Sequence, residues 1–110
     1  MLMKRIQDHY GVAGLYNSLT KTYLMMKRYA EALPCCQTAL NMYERLKDER
    51  GIASAWYHLA FIHEAQGRLE QSVKLMEKVV VVDRKYSLPK LAENQALLRA
   101  WKKKNQEARS

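Results

Sequence analysis

The sequence predicts an all-α protein made of antiparallel helical hairpins stacked on one another. Three observations carry this. Turn chemistry for a β fold is scarce: the 110 residues include only 4 Gly and 2 Pro, and neither Asn-Gly nor Asp-Gly occurs. Trp56, Leu59, Ala60 and His63 fall at i, i+3, i+4 and i+7, which is one face of a helix. The chain also overlays itself without a gap at a shift of forty positions. Arg5 falls on Arg45, Asp8 on Asp48, Gly11 on Gly51, Ala13 on Ala53, Leu19 on Leu59 and Arg28 on Arg68. Tyr16 meets Trp56 and Val12 meets Ile52. A fixed period with matching apolar types marks units that bury their faces against neighbours rather than within themselves.

Six helical segments follow in chain order. Residues 1–7 read as the tail of a helix, a partial first unit ending near residue 10. Asp8 to Gly11 reads as a turn. Residues 12–26 form a first A-type helix with Tyr16, Leu19, Thr20 and Tyr23 on its packing face. Residues 28–47 form its partner, with Ala32, Cys36, Ala39 and Leu40 inward. Pro34 sits more than one turn inside that helix and is expected to bend or delay it. Asp48 to Gly51 repeats the turn. Residues 52–65 and 68–86 form the second pair. Gly67 supplies the positive φ that ends the first of these helices, and small Ser72 lets the second cross it closely. Pro89 stops the pair and opens a last helix at about residues 89–106. There Arg99 stands where Leu19 and Leu59 stood, so the register has faded. The last helix reads as a cap, with Leu91, Leu98 and Trp101 covering the second pair.

Length allows one domain over residues 1–110. The net charge is +8, and its excess lies at the C-terminal end. Residues 81–110 carry eight Lys/Arg against three acids, whereas residues 41–80 carry six against six. Such a run usually solvates a helix face, and it also has the charge to attract RNA, acidic peptides or anionic lipid. Cys35 and Cys36 are the only cysteines and are adjacent. They cannot close a long loop and make a poor zinc site, so the chain reads as reduced and cytoplasmic. No apolar run approaches the roughly 18 residues of a membrane span, and residues 1–10 have no apolar signal core.

The same residues resemble the tetratricopeptide repeat. The resemblance rests on Trp56, Leu59, Ala60, His63, Gly67, Leu69, Ser72, Met76 and Val79. It rests equally on Tyr16, Leu19, Thr20, Tyr23, Lys27, Tyr29, Ala32, Cys36 and Ala39. The forty-residue spacing looks like a longer-helix variant with an Asp-x-x-Gly turn between units. Thr20 and Lys27 replace usual glycines, and His63 replaces a usual aromatic. The resemblance implies a short right-handed solenoid that acts as a non-enzymatic scaffold, holding a peptide or helix in a concave groove or serving as a segment of a larger repeat protein. In such arrays the A helices line the groove. The expected partner-binding residues are Asn17, Lys21 and Met25 on the first, and Ser54, Tyr57, Phe61 and Glu64 on the second. Tyr57 and Phe61 are i, i+4 and form an aromatic pair, which the last helix partly buries if they are not free. Family members that grip a chaperone's terminal carboxylate use Lys, Asn, Asn, Lys and Arg along successive A helices. Here Asn17 fits one place, but Tyr57, His58 and Leu98 fall in the neighbourhood of others, so this binding mode is not expected.

Catalytic signals are missing. No Ser or Cys has a His and an acid in a recognisable motif, and there is no glycine-rich phosphate loop. His58 and His63 are five apart and do not form an i, i+4 metal pair. His63 reads as a core substitute for an aromatic, and the six Met read as core filler. No enzyme activity, cofactor or metal is expected. The competing function is a nucleic-acid-associated protein using the basic C-terminal helix, though no nucleic-acid fold or stacking platform is present. Apolar Met1, Leu2, Met3 and Ile6, with the outward side of the 12–26 helix, have no preceding unit over them. That end is expected to associate with another copy or with a missing portion of the chain, and a homodimer is the expectation.

Overall fold

The computed structural model describes residues 2–109, and side chains from Asp8 onward. Among them five helices occur and no strand: α1 (Leu2–Met25), α2 (Tyr29–Arg45), α3 (Glu49–Ala65), α4 (Leu69–Lys85) and α5 (Leu91–Arg109). α1 and α2 pair, α3 and α4 pair, α2 packs on α3, and α5 closes on α4. The pairs are antiparallel. Glu49 at the start of α3 accepts from Lys85 and Tyr86 at the end of α4, at 2.8 and 2.6 Å. Lys102–Glu77 and Arg109–Glu70 ion pairs give α5 the opposite direction to α4.

Each corner repeats one backbone device. Lys27, Lys47, Gly67 and Ser87 adopt positive φ, and they are spaced twenty apart. The next residue's N–H returns to a carbonyl five positions back: Arg28 to Tyr23, Asp48 to Tyr43, Arg68 to His63 and Leu88 to Asp83, at 2.8 to 3.0 Å. This left-handed close satisfies the last carbonyls of one helix and reverses the chain. The backbone thus repeats every helix, at half the period visible in the sequence. Only Gly67 adopts the conformation without steric cost.

Between helices the crossings use small side chains. Ala13, Ala32, Ala39, Ala55 and Ala60 are buried, as are Thr20, Cys36 and Ser72. The Cys36 Sγ donates to the Ala55 carbonyl at 3.2 Å, a contact that requires α2 and α3 to meet closely. Burial pushes that thiol up to about 12, with Cys35 adding to it, so it stays protonated and inert. At the far end Ala60, Val73, Met76, Val79 and Trp101 make one cluster, with Leu97 and Leu98 against it. The cap on the second pair is therefore present, carried by Leu97, Leu98 and Trp101.

Several expectations change. Asp8 to Gly11 is not a turn, because α1 runs through it unbroken. The matching Asp48 caps α3 by accepting from the Gly51 N–H at 3.1 Å, and the Tyr43 ring lies against Gly51. At Gly11 nothing lies within 4 Å of where a Cβ would be. Without a helix folded back over the glycine, the continuous i to i−4 ladder wins. Pro34 does not delay α2, which begins at Tyr29; it stands exposed where the lost bond is to the carbonyl of exposed Ala30. Leu19 is exposed rather than packed, with Thr20 taking the buried place. Met76 fills the core as expected, whereas Met25 and Met26 are exposed. Met1, and the side chains of Leu2, Met3 and Ile6, lie outside the described residues. No helix described is long and apolar enough to cross a membrane.

The two glycines make a paired test. A Cβ on Gly51 would overlap the buried Tyr43 ring and the Asp48 carboxylate. Gly51→Ala is expected to cost about 1–3 kcal/mol, the usual cost of overpacking. Gly11→Ala, in an open helix interior, is expected to gain up to about 1 kcal/mol. Thermal unfolding should move Tm in opposite directions, by about 4–8 °C per kcal/mol.

Candidate functional site

One cleft of about 890 Å³ lies over α3, between α1 on one side and the α4–α5 corner on the other. Asn17, Lys21 and Met25 of α1 line it, as do Ser54, Tyr57, Phe61 and Glu64 of α3. The seven positions singled out from the sequence thus share one concavity. The reason is the parallel course of α1 and α3: positions 17, 21 and 25 repeat at one turn, and so do 54, 57, 61 and 64.

The floor of the cleft is a polar chain. The Asn17 Nδ2 donates to the Ser54 Oγ at 3.0 Å, and the amide oxygen faces His58. His58 Nδ1 lies 2.9 Å from that oxygen and is therefore the protonated ring nitrogen. This assignment leaves Nε2 as an acceptor, with no partner among the described residues. Burial pushes the His58 imidazole down to about 4, and the Lys21 and Lys90 ammonium groups add to the effect. The histidine is neutral at pH 7 and joins the two hairpins.

Above the floor stand the aromatics. Tyr57 and Phe61 pack edge to face at 4.9 Å between centroids, and Phe61 meets Trp101 in the same way at 5.3 Å. Both rings are partly buried and lean on the α3–α4–α5 core. The last helix thus covers part of the pair, and Phe61 serves the core as well as the cleft. Lys90 places its Nζ 5.1 Å from the Tyr57 ring centroid, a cation–π contact. At the corner, buried Asn94 donates to Asp83 at 2.8 Å, while its own Oδ1 has no partner.

The sequence reading missed His58 and misplaced His63. His63 is only half-buried. Its Nδ1 accepts from Arg68 Nε at 2.8 Å, and partial burial followed by the Arg68 charge holds its imidazole below the ordinary value. It ties the α3–α4 corner instead of filling the core. Sequence spacing does not single out His58, because it adjoins the aromatic pair rather than the packing stripe. Its signal was Asn17, whose equivalent place one repeat on is Tyr57. Lys90 was also missed, since it lies in a corner that the faded last unit made hard to align. On the basic last helix, Lys102 and Arg109 are engaged by Glu77 and Glu70. Among the described residues, no group of His, Cys, Asp and Glu is placed to hold a metal.

His58 gives a pH test. The unfolded chain binds this proton near 6.5 and the folded chain only near 4. Stability from this site is full above 6.5 and is lost as pH falls from 6.5 towards 4, because the unfolded state then holds more protons. The loss is expected to reach about 3 kcal/mol at most. Urea unfolding at pH 7 and 4.5 should show a larger acid loss in the native chain than in His58→Gln. The His58 ring should not titrate by NMR between pH 8 and 5.

A family profile described as tetratricopeptide repeat matches residues 11–85. Neither the curated proteins nor the solved structures compared with the chain gave a match. Repeats of this family generally mediate protein–protein interaction. The match spans both hairpins and the α1–α3 face on which the cleft lies, and the chain belongs to the tetratricopeptide-repeat family.

Proposed function

We propose that this chain is a non-enzymatic protein-binding scaffold that holds a peptide or helix of its partner in the α1–α3 cleft. The observation that carries it is the cleft itself, a concavity joining an aromatic pair to fixed polar groups. Binding sites have this composition: apolar surface for affinity and a few oriented polar atoms for register. Tyr57 and Phe61 supply large, stiff area at low entropic cost, the kind of anchor that dominates interfaces. Asn17, Lys21, Ser54 and Glu64 surround them, and Met25 offers adaptable apolar surface at the rim.

The aromatic pair separates binding from folding. Tyr57→Ala should weaken capture of a partner by about 2 kcal/mol, near thirtyfold, with helicity retained. Phe61→Ala should lose both binding and stability, by about 2 kcal/mol of the latter, because Trp101 would lose its neighbour. Pull-down from the native source with both variants, alongside urea unfolding, checks this. Undiminished capture by Tyr57→Ala sinks the groove reading.

Self-association is a second proposal, favoured by one observation. Val12, Leu15, Leu19 and Met26 lie on the open side of α1 at steps of three, four and seven, and all are exposed, Leu15 at 60%. Their equivalents in α3 include Ile52 and Leu59, which pack against the α1–α2 pair. Thr22 completes a heptad spacing, and no charged side chain interrupts it between Val12 and Met26 on that face. The outer face of α5 is charged and does not complement this stripe, so two copies would meet α1 to α1 about a two-fold axis. Light scattering should give a dimer mass for the native chain and a monomer mass for Leu15→Asp with Leu19→Asp. A native monomer at high concentration overturns it.

A further inference from the structure

Four cations among the described residues are engaged by acids. Arg28, Lys85, Lys102 and Arg109 each meet a carboxylate, in Glu31, Glu49, Glu77 and Glu70 respectively. Arg50, which also lines the cleft, lies over the Tyr86 ring, and Lys21 and Lys90, like most of the other described cations, have no acid in ion-pair reach. Yet these two lysines come from opposite walls of the same cleft, α1 and the α4–α5 corner, and both bear on the imidazole at its floor. Two like charges brought towards a buried ring, with no counter-charge, repel each other and depress its protonation. The arrangement is electrostatically incomplete.

The acids that line the cleft do not complete it. Asp83 is buried and already accepts the Asn94 amide. Glu64 lies six residues beyond His58, about 9 Å further along the α3 axis, towards the other end of the cleft. The floor between the lysines instead offers His58 Nε2, an unpaired acceptor on a side chain only 9% exposed. The imidazole cannot turn to use this atom elsewhere, because the Asn17–Ser54 chain holds its other nitrogen. The site therefore lacks a negative group at the rim and a donor at the floor.

We infer that the cleft takes an acidic segment of a partner protein, with a side-chain carboxylate set between Lys21 and Lys90 and a neighbouring N–H donated to His58 Nε2. This rests on the cleft being the protein-binding groove. An extended or helical segment carries both groups, since each residue adjoining an Asp or Glu brings its own amide. An apolar residue of the same segment covers Tyr57 and Phe61. Glu64 gives the groove a polarity: the acid lies between the two lysines and a cationic or neutral residue at the Glu64 end.

The test uses the full chain against a display library of random twelve-residue peptides, flanked at both ends so that no terminal carboxylate is presented. Enriched peptides should share an Asp or Glu beside an apolar residue. For a synthetic copy, Lys21→Gln and Lys90→Gln should each weaken binding about tenfold, as expected for a charge-assisted contact removed from an interface. Lys→Arg at either position should restore much of it. Changing the peptide's acid to its amide should have the same effect and should not add to the lysine changes. Bound peptide should also hold the His58 ring neutral to lower pH by NMR, because the donated N–H occupies the nitrogen that would take the proton. If enriched peptides lack acids but are lost with Tyr57→Ala, the groove stands and the acidic assignment is overturned. If no peptide is enriched, both readings fail. If single-stranded RNA binds instead and the lysine changes abolish it, the acidic peptide is the wrong ligand class.

Discussion

The crossings among α1 to α4 depend on side chains too small to keep helices apart. Ala32, Cys36 and Ala39 on α2 face Ala55 and Ile62 on α3, and Ala60 and Ser72 admit α4. A larger residue at any of these places would push one helix off its neighbour and open the interface along its length, since protein interiors relax little around added volume. The close approach is what lets a sulfhydryl reach a backbone carbonyl across two helices. It also brings α1 near enough to α3 for Asn17 to touch both Ser54 and His58. Site geometry and fold stability therefore rest on the same alanines.

Corner chemistry supplies the second constraint. The left-handed close recurs at residues 27, 47, 67 and 87, regardless of whether the residue is Lys, Gly or Ser. A non-glycine residue there carries about 1–2 kcal/mol of strain, so the return hydrogen bond and the packed helices must outweigh it. Asp48 adds a side-chain cap where one hairpin passes to the next, while Arg28 and Arg68 begin their helices without one. Arg68 donates instead to His63, and Arg28 pairs with Glu31. Local electrostatics thus differ from corner to corner under a common backbone path.

Much of this was legible in the sequence because repetition carries its own check. Apolar positions that recur at forty residues and again at helical spacing leave little freedom in the fold, and the hairpins fall where the pattern places them. What failed was local. Asp8 to Gly11 and Asp48 to Gly51 have the same letters, and only the second has a tyrosine ring lying over its glycine. A turn motif records what a segment is able to do, while a packed neighbour decides whether it does so. His58 and His63 changed roles for a related reason. Helical spacing defines a stripe, but the width of the buried face depends on how many neighbours crowd the helix. α3 is covered on several sides, so burial extends past the stripe to His58 and fades at the end of the helix where His63 sits. Lys90 and Trp101 were hard to weigh because the last unit departs from the repeat, and the chemistry it brings to the cleft is unique to it.

The Asn17–Ser54–His58 chain runs from one hairpin to the other. It is a joint as well as a floor. Rotating the first hairpin against the second would lengthen the Asn17 bonds before it disturbed anything inside either pair. The curvature of the array and the polarity of its concave surface are consequently linked, through the Asn17 amide as well as the Cys36–Ala55 contact and the α2–α3 packing. A molecule that settles on His58 would stiffen the array, and an array bent by other means would present a different floor. In a stacked protein of this kind, shape is itself transmissible: a change at one groove can be felt as a change of direction at the next.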